Sequence, residues 1–419
     1  MDLPTAEADR DTPQAHQTDY DCVIVGGGLA GGLIALALRI LAPDCRFCLI
    51  EAGETLGGNH RWSWFASDLP EASAALLAEF PLTTWEAGYE IRFPQYARQL
   101  DTGYRSLSSD DFHAALMASL PEGSVQLGTR VAKVDAAGVT LESGARLDAR
   151  RVIDCRTFAS SDKLAGGWQV FLGQHIKCET PHGLTRPVIM DASVDQIAPY
   201  GNGGAYRFVY VLPLSEDEVF VEDTYYADEP RMDREALWNR TQGYAQKQGW
   251  RGEVIGHETG ILPVVTGGDF DAAQEAQRIA GVAVAGTRGG FSHPLTSYTL
   301  PFAAENALAI ARLLDRKPRT TGEQLAAFCE ARARAHWRRT HFYRMLGRML
   351  FEAADPYKRV NVFQHFYQLS GTLVERFYAA RSTWGDRIRI LSGRPPVAIP
   401  RAVRALFSPG TPFETETKA

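Results

Sequence analysis

The sequence has few cysteines, no long uninterrupted apolar run and no excess of positive charge, and each shortage removes a class of protein. Six cysteines in 419 residues are too sparse to staple a small secreted scaffold. The one close pair, Cys45 and Cys48, falls in a segment that reads as a buried strand, where residues three apart face opposite sides. Redox pairs of this spacing stand at a helix N-terminus instead, and no second pair completes a zinc site. They read as structural cysteines, and no metal is expected. The longest strongly apolar stretch, Leu29 to Leu38, is interrupted by Gly31 and Gly32 and stopped by Arg39. It falls well short of the ~18 residues of a membrane span. Met1 to Gln17 carries acids and prolines without an apolar core, so it reads as a disordered lead-in rather than a secretory signal. A cytoplasmic chain is expected. With 44 basic and 50 acidic residues the net charge is -6, which leaves no global basic surplus for nucleic acid. No internal repeat is evident.

The charge that is present is unevenly spread. Between Ala331 and Arg404 there are 15 basic residues against 4 acids, so a basic C-terminal quarter follows an acidic body. Within it Phe342, Met345, Leu346, Met349 and Leu350 recur at helical spacing, with Arg344 and Arg348 off the stripe. Such a helix either lies in an anionic membrane surface or faces the core with a solvated basic side.

Cys22-Val-Ile-Val runs into Gly-Gly-Gly-Leu-Ala-Gly and then a helical pattern, followed by a second strand that ends at Glu51. Gly26, Gly28 and Gly31 stand in G-x-G-x-x-G register inside this β-α-β unit. The first glycine permits the tight turn and the second lets backbone approach a pyrophosphate. The third allows close helix–strand contact, and Glu51 is placed for ribose hydroxyls. An adenine dinucleotide is the expected ligand. Much later, Ala280 to Ala285 reads as another strand of that sheet, running into a glycine turn with Gly286, Arg288 and Gly290. A dinucleotide fold completed by a late strand is the layout of flavoproteins of the aromatic-hydroxylase type.

Between these pieces, Trp168 to Pro263 alternates like a second, largely antiparallel sheet. Tyr206-Arg-Phe-Val-Tyr-Val-Leu-Pro and Glu218-Val-Phe-Val-Glu-Asp-Thr-Tyr-Tyr form a hairpin. Period-2 alternation puts Phe220, Glu222, Thr224 and Tyr226 on one face, and Val219, Val221, Asp223 and Tyr225 on the other. Only one of the two adjacent acids can therefore enter a given cavity. Glu222, among aromatic side chains, is expected to hold its proton near neutrality and to suit a reaction passing through a carbocation. An exposed acid paired with a base is the alternative. Trp62 and Trp64 share a strand face and either line a cavity or fill core. Glu258 and Asp191 are weaker candidates that read as structural acids.

Three segments now carry a resemblance: Gly57-Gly-Asn-His-Arg-Trp-Ser-Trp, Val221-Glu-Asp-Thr-Tyr-Tyr and His293-Pro-Leu-Thr-Ser-Tyr-Thr-Leu-Pro. With the tail segments Phe342 to Phe351, Arg376-Phe-Tyr-Ala and Arg387-Ile-Arg-Ile-Leu-Ser-Gly-Arg-Pro-Pro, the chain from about Tyr20 to Arg404 resembles the bacterial lycopene β-cyclases. Three places depart from the family pattern: Arg61 where a small polar residue is expected, Ser297 where glycine is, and Cys155-Arg-Thr.

The resemblance implies closure of both acyclic ends of lycopene into β-ionone rings, giving β-carotene through γ-carotene, with no net redox change. It implies FAD as cofactor, active when reduced, with NAD(P)H as electron donor. Glu222 is then the proposed acid with Asp223 beside it, and His293 is a flavin or proton-relay candidate. Gly26, Gly28, Gly31, Glu51, Gly58, Gly286, Arg288 and Gly290 are the cofactor candidates. Phe220, Tyr226, Trp62 and Trp64 are the substrate-lining ones. A water-insoluble hydrocarbon must be collected from a bilayer, which favours the Phe342–Leu350 stripe as a peripheral contact on the inner face of the cell membrane. Other carotenoid-pathway enzymes are conceivable neighbours. The competing expectation is a flavin monooxygenase or dehydrogenase acting on a lipid-like substrate.

The expected architecture is α/β. A Rossmann-type FAD-binding domain takes residues 18–165 plus 276–320 and an antiparallel-sheet substrate domain takes 166–275. A helical, membrane-contacting region takes 321–408, between the lead-in 1–17 and a tail 409–419.

Overall fold

The computed structural model describes residues 18–197, 204–392 and 397–414. The lead-in Met1 to Gln17, the Pro395-Pro396 break and the last five residues lie outside them.

Five short strands form a parallel sheet in the order Val282–Val284, Val152–Asp154, Cys22–Val25, Phe47–Ile50, Val125–Gln126. The central strands are apolar at every position because both faces are covered. Cys22, Ile24 and Leu49 pack with the helices Leu29–Leu41 and Leu300–Arg316. Val23, Val25, Cys48 and Ile50 pack instead with Val134 and Val139 of a small antiparallel sheet, Val131–Asp135, Gly138–Leu141 and Arg146–Asp148. Cys45 packs with the first cluster and Cys48 with the second, so the pair is split between the two sides of the sheet and both thiols are free.

A larger sheet has seven strands, in the order Gly252–Gly268, Leu164–Cys178, Glu218–Ala227, Tyr206–Pro213, Val188–Asp191, Tyr89–Phe93, Tyr96–Leu100. The expected hairpin is there, with Tyr210 opposite Glu222. The sheet is wider than Trp168 to Pro263 suggests. A hairpin from Tyr89–Leu100 joins its edge, and its junction with Val188–Asp191 is parallel. Alternation along the hairpin divides the faces as read from the sequence. Val209, Val211, Val219 and Val221 pack under the helix Arg234–Lys247, while Phe208, Phe220 and Tyr226 face the C-terminal helices.

Those helices bring the main departure. In His341–Arg348, Phe342 and Tyr343 are buried, and the stripe ends in a π-helical turn, Met349–Ala353, where Leu350 is also buried. Phe342 and Leu350 share a core with Tyr226 and Val264 of the large sheet, and Gly347 lies close against Thr266. The two ends of the stripe are therefore core-facing, while Met345, Leu346 and Met349 are half-buried. Arg344, 3% exposed, is accommodated inside by donating to Thr340 Oγ1 (2.8 Å) with its guanidinium 3.5 Å from the centre of the Trp337 ring. The widened turn leaves carbonyls without helical partners, and buried Arg359 donates to those of Leu350 and Phe351, both at 3.0 Å. Among the described residues no helix is long and apolar enough to cross a membrane.

Candidate active site

One continuous cavity of about 2230 Å³ begins at the glycine turn of the parallel sheet and passes beneath the large sheet. It ends between the helices Trp384–Leu391 and Ile399–Leu406.

At the first end, Gly26 has φ 101°, and a Cβ there would stand 2.9 Å from the Cys155 carbonyl oxygen. A Cβ on Gly31 would meet the Gly26 carbonyl oxygen at 2.0 Å, so Gly31 serves the close approach of helix to strand. Gly28 differs: a Cβ would meet nothing within 4 Å. It is the N-cap of Leu29–Leu41, no side chain caps that helix, and Gly28, Leu29 and Ala30 line the cavity. The first-turn N–H groups thus lie at the cavity wall without a side-chain cap, a setting that favours phosphate. Glu51 accepts from the backbone N–H groups of Gly27 (2.6 Å) and Gly53 (2.7 Å), which fixes the carboxylate at the cavity wall with lone pairs to spare. Gly58 and Gly286 also line the cavity. These residues fit a dinucleotide.

Arg288 and Gly290 do not belong to this wall. Arg288 turns to the buried Asp154 (3.2 Å), which Arg156 also engages at 2.7 Å, and Gly290 is set against Phe270. A buried carboxylate needs counter-charge, and that need takes the Arg288 guanidinium away from the crevice.

Under the large sheet, Glu222 enters the cavity with Tyr226 on its own strand and Tyr210 opposite. Burial, foremost, and then the negative charge of Glu258 push the Glu222 carboxyl up to about 8. The Thr224 hydroxyl, which donates to Glu222 Oε1 at 2.6 Å, opposes this only partly. Glu258 comes from the strand on the far side of Leu164–Cys178. Gly173 of that central strand is in register with Glu222 on one side and with Glu258 on the other. Paired residues of adjacent strands share a face, so both acids flank a position with no side chain, their Cα atoms about 10 Å apart. His60 Nδ1 stands 3.6 Å from Glu258 Oε1, and the Arg61 guanidinium lies 5.8 Å from the Phe220 ring centre. Burial lowers the Arg61 pKa, and the nearby Glu258 is the first of the acids that oppose it.

Aromatic residues make much of the remaining wall. Tyr210 donates to the Tyr104 hydroxyl at 3.0 Å, which shares a 2.9 Å hydrogen bond with Tyr298, while Tyr226 donates to the Leu295 carbonyl at 3.1 Å. With their hydroxyls tethered, Tyr210, Tyr226 and Tyr298 are left to line the chamber, joined by Phe208, Phe363 and Phe366. Such a wall accepts a hydrocarbon and steadies a cation.

The other sequence candidates lie elsewhere. Asp223 points to the opposite face, fully buried, with Arg207 Nε at 2.8 Å and Arg240 Nε at 3.3 Å. His293 is locked in its own turn. Its Nε2 meets the Phe377 carbonyl at 3.1 Å, its Nδ1 accepts from the N–H groups of Leu295 and Thr296, and burial drives its pKa down to about 3. With both nitrogens engaged it has none to offer a cofactor. Phe220 is buried against Gly173, and Trp64 is core, whereas Trp62 reaches the cavity. Asp191 is held by Tyr244 and Ser193, as a structural acid should be. Arg61, Tyr210 and Tyr298 are wall residues that sequence reasoning did not assign to the site, and Glu258 is one it ranked below Glu222. For Tyr210 a signal existed, since the hairpin turn fixes its position opposite Glu222.

The sequence profile described as lycopene cyclase protein matches residues 21–404. The chain belongs to the lycopene cyclase family. A lycopene beta-cyclase of Pseudescherichia vulneris is 43% identical over 389 residues, covering 93% of this chain and 97% of its own length. One from Pantoea ananas is 40% identical, covering 94% and 99%. Among solved structures, a flavin-dependent halogenase from Xanthomonas campestris superimposes with a TM-score of 0.55 at 12% identity, covering 94% of this chain and 99% of that one. That likeness extends to the fold alone. Two departures of this lycopene cyclase sequence from the expected pattern have visible settings. Arg61 stands between Glu258 and Phe220. Ser297, where glycine was expected, adopts φ 57° and is held there by its hydroxyl on the Pro263 carbonyl (3.0 Å).

Proposed function

We propose that this chain is a lycopene β-cyclase that closes both ends of lycopene into β-rings, with FAD as cofactor and NAD(P)H as the source of its electrons. The observation that carries the reading is a carboxyl held protonated near neutrality, Glu222, in an aromatic chamber that opens directly onto a dinucleotide crevice.

Gly26 and Gly28 would hold the pyrophosphate of FAD, Glu51 its ribose, and Gly58 and Gly286 the part nearest the chamber. Reduced flavin, when bound, supplies electron density that favours positive charge in its neighbourhood. The rest falls to the chain. Glu222 delivers a proton to the terminal double bond of the substrate, which leaves a tertiary cation. The faces of Tyr210, Tyr226 and Tyr298 stabilise that cation and exclude water that would trap it as an alcohol. The neighbouring alkene attacks to close a six-membered ring. The carboxylate left on Glu222 then takes up a ring proton, directly or through water, so the donor is restored and the mass of the substrate is unchanged. Glu258 and the buried surroundings keep Glu222 protonated between turnovers. The hydrocarbon itself is drawn from a membrane surface.

The test is anaerobic incubation of the purified protein, FAD and a reductant with lycopene in liposomes, followed by chromatography with mass detection. A product of unchanged mass with a shorter-wavelength spectrum is expected. A product heavier by oxygen under air, or lighter by hydrogen, would overturn the cyclase in favour of an oxidative flavoprotein.

A further inference from the structure

Two short helices near the C-terminus present apolar side chains outward. In Trp384–Leu391 these are Trp384 (78% exposed), Ile388 (66%) and Leu391 (51%), spaced i, i+4, i+7 along one face. In Ile399–Leu406 they are Ile399 (63%), Val403 and Leu406, with Phe407 (84%) just beyond. Single exposed apolar residues are ordinary, but two neighbouring stripes ending in an exposed tryptophan and phenylalanine are not. The segment from Arg381 to Phe407 carries six arginines and one acid. That acid, Asp386, is engaged by Arg376 at 2.7 Å through both oxygens. Arg381 and Arg401 reach Glu305 and Asp355, whereas Arg389 and Arg404 form no ion pair among the described residues.

The position of these stripes matters as much as their composition. Leu391, Ile399, Val403 and Leu406, exposed to solvent on the outside, also line the cavity that leads to Glu222, so they form its rim. An apolar collar with free arginines around the mouth of an apolar chamber fits the surface of a bilayer with anionic headgroups. Trp384 and Phe407 are suited to the headgroup boundary and Arg389 and Arg404 to the phosphates.

We infer that the outer faces of Trp384–Leu391 and Ile399–Leu406 dock on an anionic bilayer and that hydrocarbon passes between them into the chamber. The second half of this rests on the cyclase reading above; the first half does not. The Phe342–Leu350 stripe contributes the inner wall of the passage through Leu346, Met349 and Leu350.

The test uses the full chain loaded with FAD and vesicles of phosphatidylcholine, with and without phosphatidylglycerol, followed by sedimentation. Two double variants accompany the wild type: Trp384→Ser with Phe407→Ser, and Arg389→Glu with Arg404→Glu. The wild type should bind the anionic vesicles about thirtyfold more tightly than the neutral ones, the two arginines near the surface contributing on the order of 1 kcal/mol each. The charge-reversed variant should lose that preference. The apolar variant should bind both vesicles less well. Turnover of lycopene dispersed in detergent micelles should persist in both variants.

Equal vesicle binding by all three proteins overturns the proposal. So does a wild type that self-associates through this face, seen as a dimer by light scattering that the variants abolish, without vesicle binding. If the apolar variant does not fold, the charge-reversed one decides. Absence of lycopene turnover in every form would count against the cyclase reading and leave the docking face to be judged by the vesicles.

Discussion

Glu222 and Glu258 stand on either side of Gly173, one from each strand that flanks it, and face the same chamber across a residue without a side chain. Their proximity raises the affinity of Glu222 for its proton beyond what burial alone would achieve.

The first expectation concerns Glu222 itself. Glu222→Gln should lower lycopene turnover by roughly 10²–10⁴-fold, the usual range for a lost general acid, while flavin absorbance of the purified protein stays normal. Stability should not suffer. An acid whose folded pKa is raised loses stability as pH climbs from its unfolded pKa to its folded one, so the amide removes a penalty present at neutral pH. A melting temperature well below the wild type would argue that Glu222 is structural.

The pH profile offers a second check. A donor must be protonated, so turnover should fall as pH rises through the elevated Glu222 pKa. Glu258→Gln removes the neighbouring negative charge and should shift this alkaline limb to lower pH. An unchanged limb in Glu258→Gln would mean the two carboxyls do not communicate.

Asp223 separates stability from chemistry. Asp223→Asn leaves Arg207 buried without its counter-charge and should cost about 3–5 kcal/mol of stability, measured by denaturant unfolding. The fraction that remains folded should still convert lycopene at a rate within a few-fold of wild type. A folded but inactive variant would return Asp223 to the catalytic group.

Two glycines of one motif should fail differently. Gly28→Ala adds a methyl group that meets no protein atom, so the apoprotein should melt no lower than wild type while FAD affinity drops. Gly31→Ala forces a Cβ into the Gly26 carbonyl and should destabilise the apoprotein. Calorimetry with and without FAD distinguishes the two, and equal behaviour would mean that Gly28 does not face the cofactor.

Much of this was legible in the sequence because it rests on local periodicity. The β-α-β glycines, the late strand and the separation of Glu222 from Asp223 all follow from spacing over fewer than about ten residues. What escaped depends on which strands become neighbours. Glu258 gave no local sign of its role, since its partner lies two strands away and 36 positions back in the chain. Arg288 looked like a cofactor ligand until the buried Asp154 claimed it. The Phe342–Leu350 stripe had the right period for a surface helix, and only the apolar sheet beneath it determines that its ends, Phe342 and Leu350, are interior. The outward stripes, Trp384 to Leu391 and Ile399 to Phe407, carry a similar pattern on helices of the same eight-residue length as His341–Arg348.

The chamber has one proposed proton donor, Glu222, and an apolar mouth ringed by Leu391, Ile399, Val403 and Leu406. On the proposed function, a symmetrical substrate cannot present both of its ends to one carboxyl at once. Each ring then requires its own insertion, with the molecule withdrawn and reversed between them. The proportion of one-ring to two-ring product therefore becomes a race between release and re-threading. A change at the rim should alter that proportion while leaving the chemistry of each closure untouched.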